Sequence, residues 1–218
     1  MRELQHTLPV VYVVDDGSTD PTGRRASEAG ARVLVHAVNR GKGAALCTGL
    51  REVGRAGYDW AVVLDGDGQH APADLGAFFT RAEQSHADLV VGNRMAGAQG
   101  MSRLRRVTNR WMSRQISQLA RVPLADSQCG YRLIRLEAWS RLSLRTSHFE
   151  IESEMLLAFV RAGFRVEFVP VTVLHAPRPS RIRVLTDAWR WCRWRWTAGR
   201  AVSSAGTGAR CCGAGSVS

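Results

Sequence analysis

An α/β fold on a mostly parallel sheet, with helices as crossovers, is predicted by three features of the sequence. Apolar, β-branched runs alternate with helical stretches from residue 10 to residue 92, the βαβ pattern of a parallel sheet. The runs at residues 10–14, 61–64 and 89–92 each end in charged or amide residues mixed with glycine. In such sheets ligands bind in the crevice at the carboxyl ends of the strands. The length of 218 residues and hydrophobic content of 45% suffice for one domain with a sizeable core.

The run Val10-Val11-Tyr12-Val13-Val14 reads as a buried strand. It leads into Asp15-Asp16-Gly17-Ser18-Thr19-Asp20-Pro21, where Thr19 or Asp20 would cap a helix with Pro21 in its first turn. That helix ends near Gly30, and residues 33–35 form the next strand. Asn39-Arg40-Gly41-Lys42-Gly43 opens a helix reaching about Arg55. Its glycine spacing is not that of a P-loop, so it is a tight turn or a cradle of N–H groups and one cation for a nucleotide. The strand at residues 61–64 ends in Asp65-Gly66-Asp67-Gly68-Gln69-His70. Two carboxylates there suit a hard divalent cation such as Mg²⁺, although Asp-x-Asp alone also describes an acidic turn. A helix from Pro72 to about Ser85 and a strand at residues 89–92 follow, ending in Asn93-Arg94. Alternation places Asp16, Asp65 and Arg94 along one sheet edge.

Between Met95 and Ala125 there is no acidic residue, and Arg103, Arg105, Arg106, Arg110, Arg114 and Arg121 share the window with Trp111, Met112, Ile116 and Leu119. This is a basic amphipathic helix, of the kind found at membrane surfaces and phosphates or solvated in arginine-rich proteins. Residues 126–132 read as a polar loop and 133–142 as mixed structure. A helix begins near Phe149, with Ile151, Met155 and Phe159 on one face and Glu150 and Glu154 on another. Residues 166–173 are a last strand pair or bent strand. The Pro-rich segment from His175 to Arg183 carries Arg178, Arg181 and Arg183, an anion clamp or lid. Residues 187–196 interleave Trp and Arg, which suits a membrane interface or the stacking of single-stranded nucleic acid. The Gly-, Ala- and Ser-rich residues 198–218 read as a disordered tail after a domain at 1–197.

Net charge is +11, and Lys42 is the only lysine among 30 basic residues. An arginine surplus points to phosphate-bearing partners. The five cysteines match no zinc or disulfide framework, so a reducing compartment is expected. No signal peptide or membrane-spanning run is seen, which places the chain in the cytoplasm or peripherally on the cytoplasmic face of a membrane.

Taken in order, Val14-Asp15-Asp16-Gly17-Ser18-Thr19-Asp20, Asn39-x-Gly41-Lys42-Gly43, Asp65-Gly66-Asp67-Gly68-Gln69-His70, Gly92-Asn93-Arg94, Cys129-Gly130-Tyr131-Arg132, Phe149-x-x-Glu152-x-Glu154 and Ser180-Arg181-Ile182 resemble family 2 glycosyltransferases of the GT-A fold. Within that family the resemblance is to dolichyl-phosphate mannose synthases and polyprenyl-phosphate glycosyltransferases, and it spans roughly residues 10–190. It implies an inverting transfer of a mannose- or glucose-type hexose from a GDP- or UDP-sugar to a polyprenyl or dolichyl phosphate, with Mg²⁺ or Mn²⁺. Asp15, Asp16, Lys42, Asp65 and Gln69 would bind the donor, and Asp65 and Asp67 the metal. Asp67, Arg94, Asp126 and Glu152 would be the catalytic set. Arg105, Arg106, Arg132, Ser180 and Arg181 would contact phosphates and acceptor. Partners implied are the lipid phosphate, the membrane surface through the Arg/Trp helices and a membrane protein, with no nucleic acid. Relatives begin with a further βα unit, which is expected to be missing here along with part of the nucleobase pocket. Two alternatives stand beside this reading. One is a transferase onto a sugar hydroxyl in envelope polysaccharide synthesis, with Glu152 or Glu154 as base. The other is a non-catalytic remnant that binds membranes.

Overall fold

The computed structural model describes residue 4 and residues 7–96, 103–174 and 189–198. Its first strand, β1 (Tyr12–Asp15), pairs in parallel with β2 (Arg32–Val35), and helix α1 (Thr22–Glu28) crosses between them. Asp20 Oδ1 accepts the Thr22 N–H at the start of α1, but Pro21, expected inside the first turn, stands at the capping position, and no side chain caps the helix. The helix stops at Gly30, whose φ of 83° lets the Gly30 and Ala31 N–H groups reach back to Ser27 and Ala26 carbonyls.

A second sheet has the order β3-β5-β4-β6, formed by β3 (Trp60–Val63), β5 (Arg132–Arg135), β4 (Leu89–Asn93) and β6 (Val166–Pro170). β4 and β6 are parallel, but β5 enters between β3 and β4 and is antiparallel to both. The βαβ alternation is thus interrupted by a strand that the sequence reading placed at the junction of a polar loop and mixed structure. Only Leu133 and Ile134 are apolar in β5, too short a run to announce a strand between two arginines. Both are fully buried.

Helix α2 (Lys42–Arg55) packs against β1 and β3 and so touches both sheets. Helix α3 (Leu75–Ser85), entered through a single 3₁₀ turn at Pro72–Asp74, packs on β4, β5 and β6. Helix α4 (Arg103–Ala120) packs on α6 (Ile151–Arg161), while the short α5 (Leu136–Ser140) continues from β5. Ile151, Met155 and Phe159 lie on the predicted apolar face of α6 and are all fully buried. Among the described residues beyond β6 no second strand forms. His70 and Val173 make one antiparallel bridge, and Leu174 N–H donates to the Gln69 carbonyl at 2.9 Å.

By contacts the chain divides into Met1–Ile182 and Arg183–Ser218. Within the second unit, residues 189–198 form a helix in which the Arg193 guanidinium lies 4.7 Å from the Trp189 ring centre. The remainder of the expected tail, residues 199–218, lies outside the described residues.

Ile134→Ala tests β5 as the central strand of its sheet. It should lower the unfolding free energy by about 2–5 kcal/mol, seen as a reduced urea midpoint with an unchanged slope.

Candidate active site at the carboxyl end of the third strand

The turn after β3 carries Asp65, Asp67, Gln69 and His70. Lys42, at the first position of α2, reaches Asp65 Oδ1 at 2.7 Å and also pairs with Glu152 on α6. One ammonium therefore ties together the first turns of two helices and the acidic turn. Burial would lower the Lys42 pKa, but Glu152 and Asp65 outweigh it and hold the ammonium above its ordinary range. Burial would likewise raise Asp65, yet Lys42 and His70 hold its carboxyl well below the usual carboxylate range. His70 Nε2 lies 3.9 Å from Asp65 Oδ2. The Phe149 ring centre is 5.7 Å from Lys42 Nζ.

The glycines around this cluster are required by close approach. A Cβ at Gly130 would fall 2.6 Å from Asp65 Oδ2. A Cβ at Gly43 would fall 2.7 Å from the Thr146 carbonyl, and Gly41 has a φ of 95° against the Ser147 carbonyl. The Gly43 N–H donates to that Ser147 carbonyl at 2.8 Å, so Gly41-Lys42-Gly43 is braced by the 146–148 segment. Glu154 accepts hydrogen bonds from the Arg145 N–H and from the Thr146 N–H and hydroxyl, which holds the same segment.

Arg94 and Asp126 form a buried forked pair, Nε to Oδ2 at 2.8 Å and Nη2 to Oδ1 at 2.9 Å. Burial lowers the Arg94 pKa, but the hydrogen bonds to Asp126 more than offset this, and the charge of Asp65 acts in the same direction. Arg132 is fully buried in β5 and donates to the Cys129 and Ser127 carbonyls. Its Nη1 has no hydrogen-bond partner among the described residues. Burial depresses its pKa against the opposing charges of Glu152, Cys129, Asp126 and Asp65. Its guanidinium thus lies within the carboxylate cluster rather than on an open acceptor surface. Burial also pushes the Cys129 thiol up to about 11. A serine and glutamine network joins Ser113 of α4, Ser127, Gln128 and Ser153 of α6 beneath this pair.

The two aspartates after β1 differ. The Ser18 side chain first, and the Ser18 N–H that Asp15 Oδ1 accepts at 2.9 Å second, hold the Asp15 carboxyl below its ordinary range. Asp16 accepts the Arg40 N–H at 2.9 Å and the Gly41 N–H at 2.7 Å, and lies 2.6 Å from His36 Nδ1. Burial would raise Asp16, and these partners more than offset it. Asp16 thus holds, from another loop, the two N–H groups just ahead of α2, where an anion also suits the helix dipole. His36 and Thr48, which complete its surroundings, were missed from the sequence. His36 follows β2 directly, so the strand-end rule applied to β1, β3 and β4 would have found it.

Gln69 Oε1 accepts from Arg105 Nη1 at 3.3 Å, which brings α4 to the acidic turn. Arg106 is half-buried on the same helix. Ser180 and Arg181 lie outside the described residues. Asp67 Oδ1 accepts the Gln69 N–H at 2.9 Å. Among the described residues no three His, Cys, Asp or Glu side chains converge to hold a metal alone. Asp65, Asp67 and the Gln69 amide nevertheless form an all-oxygen donor set on one turn. That set fits a hard cation which takes its other ligands from substrate phosphates and water.

A mixed α/β sheet with an Asp-x-Asp turn at a strand's carboxyl end is the GT-A architecture. Glucosyl-3-phosphoglycerate synthase from Mycobacterium tuberculosis, solved with Mn²⁺ and uridine-diphosphate-glucose, superposes with a TM-score of 0.68 at 22% identity, covering 95% of this chain and 77% of that one. The chain belongs to glycosyl transferase family 2, whose model matches residues 4–142. It is 31% identical to polyprenol monophosphomannose synthase of Mycolicibacterium smegmatis, over 78% of this chain and 69% of that protein. It is 28% identical to the UDP-N-acetylglucosamine–dolichyl-phosphate N-acetylglucosaminyltransferase of Methanococcus voltae, over 78% and 76%. Glycosyltransferase AglJ of Haloferax volcanii is 33% identical, and this chain spans 55% of its length.

Lys42→Met removes the ammonium between Asp65 and Glu152. In the wild type, Asp65 is depressed below its unfolded value of about 3.9, so its contribution is present above that pH and lost as pH falls through the folded pKa. In the variant the ammonium no longer offsets the burial of Asp65, so the Asp65 carboxyl rises, and its protonation relieves the repulsion with Glu152. The variant should be less stable than wild type at about pH 7, with the gap narrowing toward about pH 5, as read from paired urea titrations.

Proposed function

We propose that the chain transfers a mannose- or glucose-type hexosyl group from a GDP- or UDP-sugar to a polyprenyl or dolichyl phosphate, with inversion at the anomeric carbon. The observation that carries this is the junction of Lys42, Asp65 and Glu152 at the end of β3, with Asp67 on the same turn and Arg94 electrostatically coupled to it. The two relatives that use polyprenol and dolichyl phosphate support the acceptor class. The Mn²⁺ and uridine-diphosphate-glucose of the structural neighbour support the donor class.

An acceptor phosphate oxygen attacks the anomeric carbon as the bond from that carbon to the nucleotide diphosphate breaks. The electron pair leaves with the diphosphate. Lys42 supplies positive charge where the leaving group develops negative charge, and the Arg94–Asp126 pair orients the loops around it. Asp65 and Asp67 would hold Mg²⁺ or Mn²⁺ beside Gln69, and a bound metal would supply further neutralisation of the diphosphate. A phosphate acceptor is already ionised, so no strong base is demanded. That agrees with the carboxylates present. Glu154 is committed to the 145–146 backbone and Glu152 to Lys42. Both observations favour a phosphate over a sugar-hydroxyl acceptor. A lipid-phosphate acceptor supports a site of action on the cytoplasmic face of a membrane, with no nucleic-acid partner.

Purified chain, a nucleotide sugar, Mg²⁺ or Mn²⁺ and a polyprenyl phosphate should yield glycolipid by thin-layer chromatography. Asp67→Ala should cut the rate by roughly 100-fold or more; an unchanged rate refutes the assigned site. Gly130→Ala should displace the Asp65 carboxylate. Its turnover should fall at least about tenfold while the fold, followed by circular dichroism, is retained.

A further inference from the structure

We infer that His36 is a positioning residue for Lys42, fixing the start of α2 so that the ammonium meets Asp65 and Glu152. His36 follows β2 directly, stands in none of the motifs that carry the resemblance, and is 8% exposed. Both of its ring nitrogens are engaged. Nδ1 lies 2.6 Å from Asp16 Oδ1, and Nε2 lies 3.0 Å from the Thr48 hydroxyl of α2. A carboxylate only accepts, so Nδ1 carries the hydrogen, and the hydroxyl can donate to the other nitrogen. The His36 N–H donates to the Asp15 carbonyl at 2.9 Å, so the ring is tethered beside the residue it grips.

The imidazole therefore reaches α2 at two points. Through Asp16 it holds the Arg40 and Gly41 N–H groups, immediately ahead of Lys42. Through Thr48 it holds the helix itself, about 9 Å further along the axis. Asp16 has about four lone-pair sites, and His36, Arg40 and Gly41 occupy three of them. Its carboxylate is thus committed to the chain ahead of Lys42 and has little capacity left for a nucleobase. The 146–148 segment braces the same helix start next to α6, and His36 supplies the support from the β1–β2 sheet. Lys42 must meet carboxylates on two other elements, so a shift of its backbone separates the ammonium from one of them. An error of about 1 Å in such a group costs on the order of 100-fold in rate. The effect on turnover rests on the proposed transfer; the placement of Lys42 does not.

Lys42 is the only lysine, so its rate of modification by acetic anhydride, read by peptide mass spectrometry on the full chain, reports its pairing without any assay of turnover. His36→Asn keeps an amide near the Nδ1 position and loses the reach to Thr48; His36→Gln does the reverse. His36→Ala and His36→Gln should label about tenfold faster than wild type, and His36→Asn within about twofold of it. The destabilised core variant Ile134→Ala should also label within about twofold of wild type. Wild-type labelling of His36→Ala and His36→Gln overturns the proposal, as does an equal rise in Ile134→Ala, which marks general loosening. Should His36→Ala fail to fold, the Gln and Asn pair decides. In turnover, His36→Gln should lower kcat about tenfold while calorimetric binding of UDP with Mn²⁺ changes less than about twofold. Weakened UDP binding with an unchanged kcat assigns His36 to a nucleotide pocket and overturns the proposal. The expected labelling series beside a wild type that forms no glycolipid sinks only the transferase reading; uniform labelling beside an active wild type sinks only the positioning role.

Discussion

The Lys42 ammonium is the interaction on which the candidate site depends. It stands between Asp65 on the turn after β3 and Glu152 in the first turn of α6. Without a cation there, two carboxylates from separate elements would face each other in a partly buried space, at a cost neither could offset alone. The position of that cation is in turn set by backbone. Asp16, in the loop after β1, holds the N–H groups just ahead of α2, and Gly41 and Gly43 let the 146–148 segment lie directly on the helix start. The Lys42 position thus couples both sheets to α6.

A second layer of charge supports the first. Arg94 and Asp126 satisfy each other in a dry setting, and Arg132 brings a further guanidinium among the carboxylates. A buried pair of this kind adds little net stability, but loss of one member strands the other. Its contribution is better understood as orientation. The β4 end, the 126–128 loop, α4 and α6 are joined by Arg94–Asp126 and the Ser113–Ser127–Gln128–Ser153 network. The loops around the candidate site are therefore held against a common frame, which suits a reaction governed by positioning and electrostatics.

Strand ends were the legible part of the site. Asp15, Asp16, Asp65, Asp67 and Arg94 lie at or just after apolar runs long enough to be read as strands, but the expected single edge is divided: β1 belongs to the two-stranded sheet, and β3 and β4 to the four-stranded one. Arg132 was legible only as part of a motif. Its strand has two apolar residues between arginines, and its burial depends on neighbours distant in sequence. His36 and Glu154 illustrate the same difficulty. A histidine after a short strand and a glutamate in a helix's first turn are ordinary features, until Asp16 in the loop after β1 and the 145–146 segment just ahead of α6 supply their partners.

Local pattern in the sequence determined the α/β class, the helices that cross it, the apolar face of α6 and the oxygen-donor character of the Asp65–Gln69 turn. These depend on periodicity and residue chemistry, which act over a few neighbours. Only the tertiary structure decided that β5 inserts antiparallel between β3 and β4, that Lys42 pairs with Asp65 and Glu152, and that α4 turns Leu104, Val107 and Trp111 outward. Each is a long-range outcome, settled by which surfaces must be buried together and which charges must be compensated once they are.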